Sequence, residues 1–194
     1  MSSTNRGNLL VISGPSGAGK TSICEALLKR LPNARWSVSA TTRAKRANEI
    51  DGRNYRFITR ADFERMSAAG EFIETTEYLG ECYGTPRKPV EEAVARGEIV
   101  VLEIDVTGGA QIARAMPGSI RVFVLPPTME TLKARLEGRK TESEELQARR
   151  IAKADGEIAF ARNEGYYQYF ITNDILEDSI QQVLNIVNKE TVPA

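Results

Sequence analysis

The sequence predicts an α/β fold: a parallel sheet flanked by helices, carrying a small β-rich insertion and a charged, helical lid. Three observations lead there. The first is Leu9 to Thr21, LLVISGPSGAGKT, where a branched-aliphatic run meets a glycine-rich turn and then an apolar-periodic stretch. The second is the later alternation of near-continuous apolar runs with helical stretches, the pattern of strands covered on both faces. The third is the block from Arg43 to Arg87, whose short runs and turn signals interrupt that rhythm. A chain of 194 residues accommodates this as one domain with a proper core.

Taken in order, Met1 to Asn8 is polar and expected to fray. Leu9 to Ser13 reads as a buried strand, and Ile23, Ala26, Leu27, Leu28 and Leu31 give the helix that follows Lys20-Thr21 its apolar period. Leu31-Pro32-Asn33 breaks it. Trp36 to Ala40 is a short strand running into a basic loop, and Asp51-Gly52 signals a turn before the alternating Tyr55 to Ile58. Arg60 to Ala69 is a helix stopped by Gly70, and Glu71 to Tyr78 is extended. Tyr83 to Pro86 is read as a turn into a helix from Pro89 to Arg96. The apolar strand Ile99 to Asp105 ends in a carboxylate, and helix Gly108 to Ala115 follows. Strand Arg121 to Leu125, helix Met129 to Leu136 and a charged break at Gly138 to Thr141 come next. Helix Glu142 to Ala161, strand Tyr169 to Thr172 and helix Leu176 to Asn188 close the chain. Residues 1–42, 88–132 and 151–194 are expected to form the core, 43–87 the insertion and 133–150 the lid.

The glycine-rich turn fits G-x-x-x-x-G-K-[ST] at Gly14, Gly19, Lys20 and Thr21. Glycines let main-chain N–H groups wrap an anion, and the helix N-terminus adds positive potential. Gly14, Pro15, Ser16, Gly17, Ala18 and Gly19 would cradle the phosphates of a nucleoside triphosphate. Lys20 would reach the β- and γ-phosphates, and the Thr21 hydroxyl would ligate Mg²⁺. The core is thus expected to be of the P-loop NTPase type.

Composition narrows the chemistry. Lys+Arg 26 against Asp+Glu 26 leaves no net charge, which argues against a polyanion-coating role. The nine basic residues from Lys29 to Arg60 face only Glu49 and Asp51, and beside a phosphate loop this suggests a second anionic ligand. The absence of histidine excludes Ser-His and Cys-His hydrolases and histidine-ligated metals. Phosphoryl transfer survives, because it depends on positioning and charge neutralisation. Two cysteines, Cys24 and Cys82, fit neither a disulfide framework nor a zinc cluster. With no signal peptide and no membrane-spanning run, a soluble, cytoplasmic protein without membrane or nucleic-acid partners is expected.

Asp105, at the carboxyl end of a buried strand, stands where open α/β sheets place ligands, and can hold Mg²⁺ through water or hydrogen-bond a ligand. Arg43 and Arg46 could clamp one phosphate. Arg135 and Arg139, four apart at a helix end, and Arg149 and Arg150 beyond them could close over a transferring phosphoryl group.

Ser37-Val38-Ser39-Ala40-Thr41-Thr42-Arg43 with Arg46 resembles the S-x-S-x-T-T-R-x-x-R signature of the guanylate kinase family. Asp51-Gly52 with Tyr55, Glu71 to Glu74, Tyr83-Gly84-Thr85, Leu102 to Asp105, Leu125-Pro126-Pro127, Arg135 to Arg139 and Asn173-Asp174 follow in the family's order. The resemblance covers roughly Leu9 to Val187. It implies a GMP site of Ser39, Arg43, Arg46, Tyr55, Glu74, Tyr83, Thr85 and Asp105 in the insertion and on the core strand. Arg43, Arg46, Tyr55 and Tyr83 would hold the monophosphate, and Glu74 would accept the guanine N1–H and exocyclic amine with Ser39 and Thr85 near O6. Arg135 and Arg139 would reach ATP from the lid, with Arg150 behind them, and Asn173 would lie near the adenine. Lys20, Arg43, Arg46, Arg135, Arg139 and Arg150 would be the catalytic set.

The implied reaction is ATP + GMP ⇌ ADP + GDP with Mg²⁺, with dGMP as an expected further acceptor. The chain departs from the family pattern at Asn48, Glu81-Cys82, Lys140, Gln168 and Thr172, none of them a proposed phosphate or guanine contact. Two other readings stay open at this level: an interaction module of the same fold, and a related P-loop kinase with a different acceptor. The intact Gly14, Gly19, Lys20 and Thr21 argue against the first, and Glu74 with Ser39 and Thr85 against the second. Monomer and homo-oligomer are equally compatible with the sequence.

Overall fold

A computed structural model of the chain describes residues 7–78, 80–137, 144–164 and 166–191, and over 144–149 the main chain alone. Of the fraying expected over Met1 to Asn8, the part before Gly7 lies outside the described residues, as does the charged break at 138–141 with Arg139. Asn8 itself does not fray but opens a strand, its N–H donating to the Glu98 carbonyl at 3.1 Å. Strand β1 (Asn8–Ser13) enters the phosphate-loop turn, and helix α1 (Lys20–Arg30) leaves it. Then come β2 (Ala34–Trp36), β3 (Ala40–Thr41), β4 (Arg56–Phe57), α2 (Arg60–Ala68), β5 (Phe72–Tyr78), β6 (Glu81–Pro86) and α3 (Arg87–Ala95). The rest is β7 (Ile99–Glu103), α4 (Val106–Ala115), β8 (Ile120–Leu125), α5 (Met129–Glu137), α6 (Glu144–Asn163), β9 (Tyr169–Thr172) and α7 (Leu176–Thr191).

Two sheets result. A five-stranded parallel sheet has the order β2-β7-β1-β8-β9, with β1 at its centre. Leu9 to Ile12 are all fully buried, as the apolar run required, and their alternation divides the core. Leu10 and Ile12 pack with Ile23 and Leu27 of α1 and Ile180, Val183 and Val187 of α7. Leu9 and Val11 face Val90 and Ala93 of α3 and Ile112 of α4. Because β1 and β7 are neighbours and the helices that follow them, α1 and α4, pack on opposite faces of the sheet, a crevice opens at the carboxyl ends of these strands.

The second sheet, β4-β3-β6-β5, has β6 antiparallel to both β3 and β5 and folds over its own small core of Ala40, Phe63, Met66, Phe72 and Cys82. Here one sequence expectation is corrected: Tyr83 to Pro86 is strand, not the turn into a helix that glycine and proline suggested. Gly84 is accommodated because a Cβ there would lie 2.9 Å from the Phe72 ring, so the ring uses the space a side chain would fill. Pro86 caps α3 from the strand's last position. A second correction concerns Asp105, which ends no strand but is the N-cap of α4, its Oδ1 accepting the Gly108 N–H at 2.8 Å. The sheets are tied together by Gln111 of α4, whose Nε2 donates to the Thr75 carbonyl at 2.7 Å and whose Oε1 accepts the Thr75 N–H at 3.1 Å. That side-chain amide completes the edge of β5 and fixes its neighbour Glu74 against the core.

Candidate active site

The phosphate loop takes its shape from close approach. Gly14 (φ 145°) lies so near β8 that a Cβ would be 2.3 Å from the Val124 carbonyl oxygen. Gly19 (φ 93°) caps α1, and a Cβ there would be 2.1 Å from Asn173 Nδ2. Within the loop the Ala18 N–H donates to the Pro15 carbonyl at 3.2 Å, and Lys20 Nζ donates to the Gly14 and Pro15 carbonyls at 2.8 and 3.0 Å. The lysine thus curls over the turn that would receive phosphate. Arg150 Nη1 donates to Ser16 Oγ at 2.9 Å, joining α6 to the loop's tip.

A cleft of about 780 Å³ runs from this loop to the second sheet. Gly14, Ser16, Lys20, Thr21 and Arg150 line one end; Ser39, Tyr55, Glu74, Tyr83 and Asp105 line the other. Glu74 is 3% exposed. The Thr85 hydroxyl donates to its Oε1 at 2.6 Å, whereas Oε2 is buried without a hydrogen-bond partner. Burial raises the Glu74 carboxyl to about 7 against the opposing pull of Thr85, and the nearby Asp105 charge pushes the same way. Ser39 and Thr85 hydroxyls are 3.4 Å apart beside it. Gly108 leaves room for the carboxylate, since a Cβ there would lie 2.9 Å from Oε2.

Tyr55 and Tyr83 meet edge to face with centroids 6.0 Å apart, and the Arg43 guanidinium lies 5.6 Å from the Tyr55 ring. Arg43 is ion-paired with Glu49 at 2.7 Å, and the Arg46 N–H donates to the same carboxylate. Arg135 and Asn173 lie behind the phosphate loop. Asn173 is 4% exposed, its Nδ2 donates to the Ala18 carbonyl at 2.7 Å, and its own carbonyl accepts from Arg135 Nη2 at 3.1 Å. One Nδ2 hydrogen is committed to the loop, and Oδ1 is buried without a hydrogen-bond partner.

Sequence reasoning missed three groups. Glu103 Oε1 accepts the Thr21 hydroxyl at 3.1 Å, whereas Asp105 is engaged by the Gly108 N–H and the Thr76 hydroxyl. A carboxylate inside an otherwise apolar strand was the available signal. Lys153 and Glu157 of α6, paired at 3.2 Å, line the cleft opposite the second sheet, and Lys153 Nζ lies 5.7 Å from the Tyr78 ring. Burial raises the Glu157 carboxyl. The third is Glu49.

The guanylate kinase family model matches residues 6–190. A guanylate kinase of Carboxydothermus hydrogenoformans is 47% identical over 186 residues, 96% of this chain and 90% of the relative. One from Synechocystis is 41% identical over 185 residues, 95% of each. The crystal structure of guanylate kinase from Anaplasma phagocytophilum superposes with a TM-score of 0.77 at 32% identity, covering 98% of this chain and 89% of that one.

Proposed function

The chain belongs to the guanylate kinase family, and from that premise we propose how its residues divide the work of moving the γ-phosphoryl of ATP to GMP. The reaction itself, giving ADP and GDP, is that of the family. The single observation that carries the assignment of sides is Glu74: a buried carboxylate with one oxygen held by Thr85 and the other unpartnered beside the cleft. Guanine presents an N1–H and a 2-amino group on one edge, which suits such an acceptor. Adenine has neither, and would leave the carboxylate desolvated and unpaired. Ser39 and Thr85 would meet O6, and Asp105, held by α4, would flank the base. Arg43, Arg46, Tyr55 and Tyr83 would take the monophosphate.

On the other side, residues 14–21 would hold the triphosphate, Lys20 exchanging its loop carbonyls for β- and γ-oxygens. Arg135 and Asn173 would brace the loop from behind, with Asn173 Oδ1 left for the adenine. Arg150, and Arg139 from outside the described residues, would neutralise the transferring group. A GMP phosphate oxygen attacks the γ-phosphorus in line while the bond to the β,γ-bridging oxygen breaks, and ADP leaves with that electron pair. No general base is required, because the nucleophile is already anionic. The chain's contribution is alignment and positive charge.

Mg²⁺ is the metal the family implies. The Thr21 hydroxyl and Glu103 carboxylate, 3.1 Å apart beside the phosphate loop, are hard oxygen donors of the kind such an ion takes. They would hold it directly or through its water, and when bound it supplies charge neutralisation of the β- and γ-phosphates. This reading places the metal-side carboxylate at Glu103 and leaves Asp105 to the guanine side. The separation of a core of 1–42, 88–132 and 151–194 from a GMP-binding insertion of 43–87 is supported by the two sheets, although the second sheet takes in Ala40–Thr41 as well. The lid of 133–150 would lie between the last two core segments in sequence, partly outside the described residues. Among the described residues no helix is long and apolar enough to cross a membrane. A cytoplasmic enzyme acting on free GMP and dGMP, without nucleic acid, fits these sites.

The direct test is Glu74→Gln under steady-state conditions. Loss of GMP turnover with an ATP KM within about two-fold of the parent supports the assignment, since only the guanine side is altered. An unchanged kcat/KM for GMP contradicts it.

A further inference from the structure

Arg43 is assigned to the GMP phosphate, yet its guanidinium already holds an anion. Nη2 donates to Glu49 Oε1 at 2.7 Å and Nη1 to Oε2 at 3.1 Å, and Nη1 donates also to the Ala44 carbonyl at 2.7 Å. The pair is largely shielded, with side chains 16% and 12% exposed. Glu49 Oε2 accepts the Arg46 main-chain N–H at 2.8 Å, and the Glu49 N–H returns to the Arg46 carbonyl at 3.1 Å, closing a tight turn. Phe57 joins Tyr55 against the guanidinium, 5.8 Å from its ring. One carboxylate therefore fixes the side chain of one phosphate-binding arginine and the main chain of the other. Arg43 first, and the Arg46 N–H second, lower the Glu49 carboxyl to about 2, so it is ionised throughout the neutral range.

Two effects oppose each other. A carboxylate beside a dianion site repels the dianion. A carboxylate that immobilises a guanidinium spares the ligand the entropic cost of ordering a long side chain. The donor count decides between them. A guanidinium has five N–H groups in a fixed plane, and three of Arg43's are directed at Glu49 and Ala44. The second Nη2–H and the Nε–H share the adjoining edge of the plane, a bidentate pair for a phosphate, and Tyr83, assigned to the same phosphate, also hydrogen-bonds the Arg43 side chain. Glu49's own charge is neutralised by the arginine it grips, and the Arg46 guanidinium is not among its hydrogen-bond donors.

We propose that Glu49 is a positioning residue for the GMP phosphate, setting Arg43 and the 46–49 turn so that the edge of Arg43 that Glu49 leaves, together with Tyr83 beside it and the Arg46 side chain, converges on one group. The proposal rests on the assignment of these two arginines to GMP. Its test compares GMP with guanosine, which carries the same base and sugar without the phosphate. In Glu49→Gln, GMP binding measured by calorimetry weakens roughly ten-fold or more, as loss of a charge-assisted pair requires. Guanosine binding and the ATP KM stay within about two-fold. Glu49→Asp keeps the charge but shortens the reach, and shows the same phosphate-selective loss at smaller size; it carries the test if the amide variant melts below assay temperature. GMP binding that is unchanged or tighter in Glu49→Gln overturns the proposal, the latter by showing that Glu49 competes with the phosphate. Equal losses for GMP and guanosine overturn it too, because a collapsed base site would produce them. Parent enzyme that phosphorylates a different nucleotide and not GMP is a separate result, which removes the assignment beneath the proposal.

Discussion

Thr85 of β6 and Glu74 of β5 face each other across the antiparallel pairing, and the threonine hydroxyl donates to Glu74 Oε1 at 2.6 Å. That bond leaves Oε2 as the buried acceptor without a hydrogen-bond partner, the atom that the proposed reading of guanine would use.

The first prediction concerns pH. Burial raises the Glu74 carboxyl to about 7 in the ligand-free protein, so GMP must find it ionised or displace its proton. KM for GMP therefore rises as pH falls below 7, and in a weakly buffered calorimeter GMP binding near pH 6.5 releases protons. Folding shows the opposite sign. A carboxyl raised in the folded state binds more protons than in the unfolded chain, so its contribution is most favourable below the ordinary glutamate value of 4.5 and is lost as pH climbs to 7. At about 1.4 kcal/mol per pKa unit, the parent loses on the order of 3 kcal/mol relative to Glu74→Gln across that window. Parallel urea-denaturation profiles for the two proteins between pH 4.5 and 7 would contradict this.

The second prediction concerns the contact between Gly19 and Asn173. Gly19→Ala places a methyl 2.1 Å from Asn173 Nδ2 at a φ of 93°, forcing the amide off the Ala18 carbonyl. Stability drops by about 1–3 kcal/mol, as strained left-handed residues and broken buried hydrogen bonds cost. Asn173→Ala loses the Ala18 bond without the clash. It should raise the ATP KM while leaving GMP binding alone, measured by separate titrations of the two nucleotides.

The third prediction concerns the metal. Glu103→Gln removes the carboxylate that meets the Thr21 hydroxyl, so half-maximal activity requires more Mg²⁺, by roughly ten-fold if a charged ligand or water-holding group is lost. Asp105→Asn leaves that Mg²⁺ midpoint in place and raises the GMP KM. An Mg²⁺ curve shifted by the Asp105 variant and not by the Glu103 variant would reverse the two assignments.

Much of this architecture was legible because its signals are local. The apolar run Leu9–Ile12 announces a strand buried on both faces, and Gly14, Gly19, Lys20 and Thr21 announce the turn beyond it. The strand at Tyr83–Pro86 was hidden because glycine and proline usually punctuate; only the ring of Phe72, twelve residues away in sequence and paired with Pro86 across the sheet, explains Gly84. Glu103 and Asp105 were separable only in three dimensions, once α4 had taken Asp105 as its cap. Glu49 looked like one of two acids in a basic stretch, and its value lies in the two oxygens it turns toward Arg43. Asn173 was placed near a base by resemblance, while its burial against the phosphate loop depends on β9 reaching the loop from the far end of the chain.

The most direct measurement is ADP formation from MgATP by the parent enzyme offered GMP, dGMP, AMP, CMP, UMP or no acceptor. Buried Glu74, with Oε2 unpartnered beside the cleft, predicts turnover with GMP and dGMP and at least about 10³-fold lower kcat/KM with AMP, because adenine leaves that carboxylate unpaired. Comparable turnover with AMP or a pyrimidine monophosphate would contradict the account of Glu74 as the group that reads the base.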